Sequence, residues 1–259
     1  MRVVGDAGLE QGVATGGETG TSARSRWWRG LEPVVRLLSA TVLIGAATGA
    51  VIGGIGGRLA MRVLFLTSDS TVKGVTSDDG FEIGRFTLSD TAGLVVLTAV
   101  IGVVAALLYL VARPFLAPLG SAVVPAMAAF YGVLGGAMMV HRDGIDFKVL
   151  KPAALAIALF VAICAAFGAV SARLVNSAAT EGGWPQRRSW WLLGPPLILV
   201  LIPPFVVLAF AAVAFNWLAT AGRSQTSRWH VIQASALAVM SGLFVLGAVD
   251  LARDTAALT

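Results

Sequence analysis

Residues 37–57 read LLSATVLIGAATGAVIGGIGG, and this stretch decides the fold. It holds 21 residues without a single charge, between Arg36 and Arg58. An α-helix rises about 1.5 Å per residue, so about 20 residues cross the roughly 30 Å hydrocarbon core of a bilayer. The stretch therefore predicts a membrane-spanning helix bounded by an arginine at each end.

The composition of the whole chain indicates the same class of protein. Of its 259 residues, 57% are hydrophobic and only 13% are charged, with a mean hydropathy of +0.83. Soluble domains carry about a quarter charged residues. The shortage of charge excludes a soluble globular enzyme and a disordered protein, and it indicates a chain that crosses the membrane several times.

Five further charge-free runs follow the first, at residues 91–112, 114–140, 152–172, 189–222 and 229–249. Each is long enough to span a bilayer. We therefore predict an all-α, polytopic transmembrane helix bundle of six spans over residues 34–253. Residues 1–33 are predicted to form a disordered cytoplasmic N-terminal tail, and residues 254–259 a C-terminal tail.

The run at residues 189–222 is too long for one simple span, and it carries the pairs Pro195-Pro196 and Pro203-Pro204. Proline removes a backbone donor and disfavours helix in the residue before it. Two interpretations remain, a single kinked span or a short re-entrant segment followed by a helix from about Pro203. The kinked span is favoured, because no charge separates the two halves.

The loop at residues 67–90 is predicted to be extracytoplasmic and to contain a short β-hairpin. Two β-like runs flank Asp79-Gly80, which is a favoured hairpin turn. Such a hairpin is marginally stable alone, so we expect it to pack on the end of the first helix.

Six spans place both termini on one side, and arginines near the first span indicate which side. Arg24, Arg26, Arg29 and Arg36 precede it, and positive charge near the first span favours the cytoplasm. Arginine outnumbers lysine 16 to 3, a bias typical of GC-rich bacterial genes. The prediction is a multi-pass protein of a bacterial cytoplasmic (inner) membrane, with both termini in the cytoplasm.

Within the first span, Gly45, Gly49, Gly53 and Gly57 follow one another at intervals of four. Residues four apart share one helix face, and glycine lets a second helix approach closely, the pattern of a glycine zipper. We predict that this face packs inside the bundle, with a contact between copies of the chain as the alternative. Small residues with the same spacing occur on later spans, at Gly132 and Gly136, at Ala154, Ala158, Ala162 and Ala166, and at Ala234, Ala238 and Gly242.

Polar loops meet the end of the first span, where we expect any ligand site. Arg58 and Arg62 lie one turn apart and are candidates for binding an anion or a lipid headgroup. Six-span parity brings His141, Arg142 and Asp143 to the same side. These five residues form the predicted ligand-binding set.

Several kinds of function lack their usual motifs. No span core carries an Asp or Glu, which argues against a carrier coupled to protons or sodium. No nucleotide-binding, zinc-protease or serine-hydrolase motif occurs. No catalytic residue, cofactor or metal is predicted. The expected partners are the lipid bilayer and either a second copy or another membrane protein, without nucleic acid.

The sequence therefore favours a non-enzymatic accessory or interaction protein built on close glycine-mediated helix packing. Two alternatives remain. One is a permease or channel for a small solute, with an anion as one option, and the other is a membrane-embedded enzyme acting on lipid at the outer face.

Overall fold

The computed structural model describes residues 19–68, 87–141, 152–180, 182–189, 193–200, 203–222 and 226–258. Over these residues the secondary structure is helical, and they contain no strand. A π-helical turn at Gly49–Ile55 joins the first two helices, and a 3₁₀ turn at Ala117–Ala122 precedes the fourth. In chain order the helices are α1 (Thr19–Thr48), α2 (Gly56–Thr67), α3 (Leu88–Ala112), α4 (Val123–Met139), α5 (Ala153–Ala178), α6 (Trp184–Arg187), α7 (Pro196–Val200), α8 (Pro203–Gly222) and α9 (Thr226–Leu258).

In the part of the chain that the structure describes, five helices are long and apolar enough to cross a membrane. This agrees with a helical, multi-pass membrane protein, but a sixth span is not confirmed: within α8, the apolar part at Phe205–Asn216 is shorter. The five helices are Glu32–Thr67, Leu88–Ala112, Ala117–Met139, Ala153–Ala178 and Trp229–Leu258.

Three predicted segments overlap helices of the structure or lie outside the described residues. The predicted hairpin falls on residues 69–86, which lie outside the described residues, and Thr87 caps α3 by accepting a hydrogen bond from Asp90 N at 3.2 Å. Both predicted tails overlap helices, because α1 begins at Thr19 and α9 continues to Leu258. Residues 1–18 are not described.

Neighbouring helices run antiparallel in the first part of the chain. Gly45 of α1 faces Gly102 of α3, whereas Gly54, further along, faces Val95. The same order reversal relates α4 and α5, which form an extensive contact. The bundle therefore has two ends. We call them the Arg36 end, which also holds Arg113 and Asn176, and the Leu64 end, which also holds Val140 and Ala156.

The last helix, α9, runs parallel to α4, from the Arg36 end to the Leu64 end. Near its start, the Trp229 ring stacks on Phe115, just past the end of α3, with ring centroids 5.8 Å apart. Further along, Leu251 lies beside Gly136 of α4. At its end, Leu258 packs against the apolar cluster of Leu64 and Val140. The described chain thus begins and finishes at opposite ends of the bundle, unlike the six-span prediction.

The difference arises in α7 and α8, which enter and leave the bundle at the Arg36 end. Arg36 Nη1 donates to Arg188 O at 2.7 Å, and the chain then passes into the core at Leu193. Asn216 of α8 donates to Leu110 O at 3.2 Å, and α8 packs along α3. Leu110 lies only two residues before the end of α3, so a helix that packs along α3 from this point must contact its earlier turns. The earlier turns of α8 therefore lie beside the earlier turns of α3. The two helices are therefore parallel, and α8 begins inside the bundle.

This path corrects the favoured prediction of a kinked span and corresponds to the re-entrant alternative. We call Leu193–Gly222 the re-entrant hairpin. Its physical basis is the first proline pair, since Pro195-Pro196 stands where α7 begins rather than in a helix interior. The absence of charge between the halves was misleading, because a re-entrant turn covered by protein needs no charge.

Candidate functional site

The closest approach of two helices lies between α1 and α3, around the middle of the first span. A Cβ built on Gly45 would lie 2.6 Å from Gly102 O, and one built on Gly49 would overlap Thr98 O. A Cβ on Gly102 would overlap Gly45 O in turn. Only glycine fits at these three positions, so the two backbones touch directly, and we call this contact the α1–α3 interface.

The π-helical turn Gly49–Ile55 continues this interface in a changed register. At its end, the Gly56 N–H bonds to Val51 O and Gly53 O. A Cβ on Gly53 would lie 3.0 Å from the Thr98 side chain, and a Cβ on Gly54 would lie 2.9 Å from Val95 Cα. Among the described residues, no atom of a neighbouring segment lies within 4 Å of a Cβ built on Gly57. The structure thus brings Gly45, Gly49 and Gly53 to α3, adds Gly54, and leaves out Gly57.

A buried pair of hydroxyl groups stands immediately before the π-helical turn. The Oγ1 of Thr48 and the Oγ of Ser171 lie 3.0 Å apart and join α1 to α5. Thr48 also donates to Ile44 O at 2.7 Å, so Ser171 donates the hydroxyl proton of the interhelical bond. Both side chains are buried. Thr48 lies near the middle of the 22-residue interval between Arg36 and Arg58.

A second polar group closes the Arg36 end of the bundle. The amide oxygen of Asn176 in α5 accepts a hydrogen bond from Tyr109 Oη at 2.9 Å and another from Arg113 Nε at 3.0 Å. Arg36 forms an ion pair with Glu32 at 2.9 Å, one turn away, and donates to Pro185 O at 3.0 Å. These bonds join α3 to α5 and α1 to α6 at the Arg36 end.

The re-entrant hairpin and α9 are attached to the same end by amide and aromatic side chains. Asn216 and Gln233 each donate a side-chain N–H to a backbone carbonyl, those of Leu110 and Pro114, at 3.2 and 3.1 Å. The Phe115 ring meets Phe215 edge-on at 5.3 Å and also stacks on Trp229. Pro114 has no N–H to donate to Leu110 O, and Pro118 has none to donate to Pro114 O, so these two amides supply the missing donors.

The predicted ligand-binding set is only partly described. Arg58 is half-buried, and Arg62 is exposed with its guanidinium carbon 5.6 Å from the centre of the Phe65 ring. That distance fits a cation–π contact. His141 is exposed just after α4. The remaining two residues, Arg142 and Asp143, lie outside the described residues, so the structure does not bring the five together.

Sequence reasoning missed the two asparagines. Neither Asn176 nor Asn216 belongs to the predicted site, yet each joins two helices. A signal existed, because a lone asparagine in an apolar helix usually bonds across to a neighbour. Within the described ranges, no group of three or more His, Cys, Asp or Glu residues could hold a metal ion.

The alanine series on α5 and the small residues on α9 face outward rather than into the molecule. The interior face of α5 instead carries residues such as Gly168, whose built Cβ would lie 2.5 Å from Met127 O of α4. We call the outward series on α5 the alanine stripe. The exposed residues are Ala154, Ala158, Ala162 and Ala166 of the alanine stripe, with Ala234, Ala238 and Gly242 of α9.

Comparison of the chain with protein-family models, with curated proteins and with solved structures found no match.

Proposed function

We propose that this protein is a non-enzymatic accessory protein of the membrane, which acts by associating with a second copy through the alanine stripe of α5. The observation that carries the proposal is the outward position of four alanines at intervals of four. In lipid, helices associate mainly through van der Waals packing of small residues, and this spacing is the usual pattern.

The internal contacts support a second copy as the occupant of the stripe. The molecule joins its own helices by placing small residues of one against small residues of an antiparallel neighbour, as at Gly132 and Ala165, where a built Cβ would lie 3.1 Å from the alanine Cβ. In two copies inserted with the same orientation, a two-fold axis along the membrane normal would bring the stripe of one copy against the same stripe of the other, with the two α5 helices parallel. The stripe is therefore complementary to itself.

The hydrogen bonds of the polar side chains within the spans favour a protein that associates with another protein over one that forms a water-filled path. Tyr131 Oη donates to Ala105 O at 2.8 Å, and the hydroxyls of Thr48 and Ser171 bond to each other. Asn216 and Gln233 also donate to backbone carbonyls. Because these groups are engaged in joining helices, they contribute little to the wall of a pore.

Cross-linking of single cysteines in native membranes tests the proposal. In a background where the one native cysteine is replaced by Cys164→Ala, cysteines at Ala158 and Ala162 should form disulfide-linked dimers on oxidation. A cysteine at Val96, which is 64% exposed on α3, is the matched control and should stay monomeric. Ala158→Leu should reduce the dimer without changing the melting of the monomer. Equal cross-linking at all three positions, or a monomer at every protein density, would contradict the proposal.

A permease or channel for a small anion is the second candidate, and the re-entrant hairpin favours it. A helix that begins inside the bundle is common where transporters and channels bind their substrates. Uptake of a labelled anion into proteoliposomes is the test, comparing Arg58→Ala and Arg62→Ala with Arg253→Ala, which removes an exposed charge of α9. Flux lost with either of the first two variants but kept with the third would support a permease and contradict an accessory role.

We further propose that the protein lies in a bacterial cytoplasmic membrane with its Arg36 end in the cytoplasm. The arginines before the first span support this orientation. With five crossings, the C-terminus then lies on the opposite side, in contrast to the shared side that six spans imply. Alkaline phosphatase fused after Thr259 should be active, and a fluorescent protein fused there should be dark. The reverse pattern would restore an even number of crossings.

A further inference from the structure

The π-helical turn in the middle of the first span has a geometric consequence for everything that follows it. A π turn closes i→i+5 hydrogen bonds, so it holds one residue more than an α-helical turn. Each residue of an α-helix advances the helix by about 100°. A helix that continues after a π turn is therefore rotated by about one residue position relative to an uninterrupted α-helix.

The contacts of the glycines record this rotation. In an uninterrupted α-helix, Gly45, Gly49, Gly53 and Gly57 share one face. In the structure, Gly54 rather than Gly53 meets the Val95 backbone, and the interval from Gly49 to the buried Gly54 is five residues instead of four. Gly57 has left the α1–α3 interface. The change falls within the π-helical turn and not before it.

The burial pattern of α2 shows what the rotation achieves. Ala60 is 4% exposed and Leu64 is fully buried, whereas Leu59 is 62% exposed. If the same sequence continued as an uninterrupted α-helix, with no residue removed, each position on α2 would be occupied by the preceding residue. Leu59 would then stand where the small Ala60 is buried, and Val63 would replace Leu64.

The same rotation decides where the first arginine of α2 lies. Arg58 is half-buried in the structure. In an uninterrupted helix Arg58 would stand at the position of Leu59, on the outward, lipid-facing side. A charged group on that side is costly near the hydrocarbon region. The extra residue therefore keeps the guanidinium within the protein side of the helix.

We propose that the π-helical turn is a one-residue insertion that sets the rotational register of α2, burying Ala60 and Leu64 and positioning Arg58 away from lipid. The device lies between two fixed points, the Thr48–Ser171 bond before it and the Leu64 cluster after it. The proposal requires that one residue of the π-helical turn be dispensable. Removal of that residue would leave an α-helix in which the residues of α2 keep their present positions. The proposal is independent of the function that the protein performs.

Single-residue deletions in the full-length protein test this directly. Deletion of Val51, which is 57% exposed within the turn, should give a protein that melts in detergent within about 5 °C of the wild type. Deletion of Leu43, in the α-helical part of α1, is the matched control. It rotates Gly45, Thr48 and Gly49 relative to the preceding helix, so it should abolish the folded monomer. Deletion of Ile52 provides a second, independent test within the turn.

The reactivity of single cysteines reports directly which face of α2 is buried. In the Cys164→Ala background, a cysteine at Ala60 should react slowly with a membrane-permeant thiol reagent and one at Leu59 quickly. Both rates should stay the same after deletion of Val51. If deletions of Val51 and Ile52 unfold the protein as deletion of Leu43 does, or if the two cysteines exchange their reactivity, the π turn is not a register-setting insertion.

Discussion

The α1–α3 interface and the contact of α9 with α4 join membrane helices in two different ways. In the first, glycines bring backbone onto backbone, and 56% of the most apolar part of the first span is buried. In the second, side chains such as Leu251 lie across the partner helix, and only 11% of the corresponding part of α9 is buried. The first span is therefore held on several sides, whereas α9 lies at the edge of the bundle.

The comparison of these two contacts shows under which condition a regular spacing of small residues indicates a buried helix face. Gly45 and Gly49 are buried because α3 presents Gly102 and the backbone of Thr98 opposite them. On α9 the same kind of series, ending at Gly242, faces outward, and no described atom lies within 4 Å of a Cβ built there. Small residues thus permit a close contact, but the partner helix decides whether the contact forms.

The largest effect is expected from a bulky side chain in the α1–α3 interface. Gly49→Leu places a side chain where Thr98 O already lies, so α1 and α3 must separate. We expect loss of the folded monomer in detergent, measured by thermal denaturation with size-exclusion chromatography. Gly242→Leu, the same change on α9, should leave the melting curve unchanged. Equal melting of both variants would remove the distinction between the two contacts.

A smaller change separates two glycines of the same series. Gly45→Ala adds a methyl group 2.6 Å from Gly102 O and should destabilise the protein by about 1–3 kcal/mol. Gly57→Ala meets no described neighbour and should be neutral, or stabilise by up to about 1 kcal/mol, because alanine favours helix over glycine. Reversible unfolding in mixed detergent measures both. A similar loss from the two variants would mean that Gly57 belongs to the interface after all.

These contrasts also mark what the sequence could predict. The helical class and the presence of several helices long and apolar enough to cross a membrane followed from charge-free length. The π-helical turn could not be predicted, since its register depends on how Gly54 meets α3. The re-entrant hairpin had been an open alternative. Its direction depends on long-range contacts such as that of Asn216 with Leu110 O, and these leave no trace in local hydropathy.

The hydroxyl pair beside the interface should contribute less than the glycines. Thr48→Val with Ser171→Ala removes a bond of 3.0 Å that joins α1 to α5. Interhelical hydrogen bonds in membranes contribute about 0.6 kcal/mol on average and up to about 1.7 kcal/mol. A double-mutant cycle in the same unfolding assay should give a coupling energy in the upper part of that range, because both groups are buried. A coupling energy of zero would show that packing alone joins these helices.

The smallest effect is expected where α9 is attached. Gln233→Met keeps the length of the side chain and removes the hydrogen bond to Pro114 O at 3.1 Å. The ring stack of Trp229 on Phe115 and the packing of Leu258 remain, so the loss should stay near the average of about 0.6 kcal/mol. Limited proteolysis between α8 and α9, compared with the wild type, tests whether the start of α9 loosens. If Gln233→Met destabilised the protein as much as Gly45→Ala, α9 would be a central helix of the bundle rather than a peripheral one.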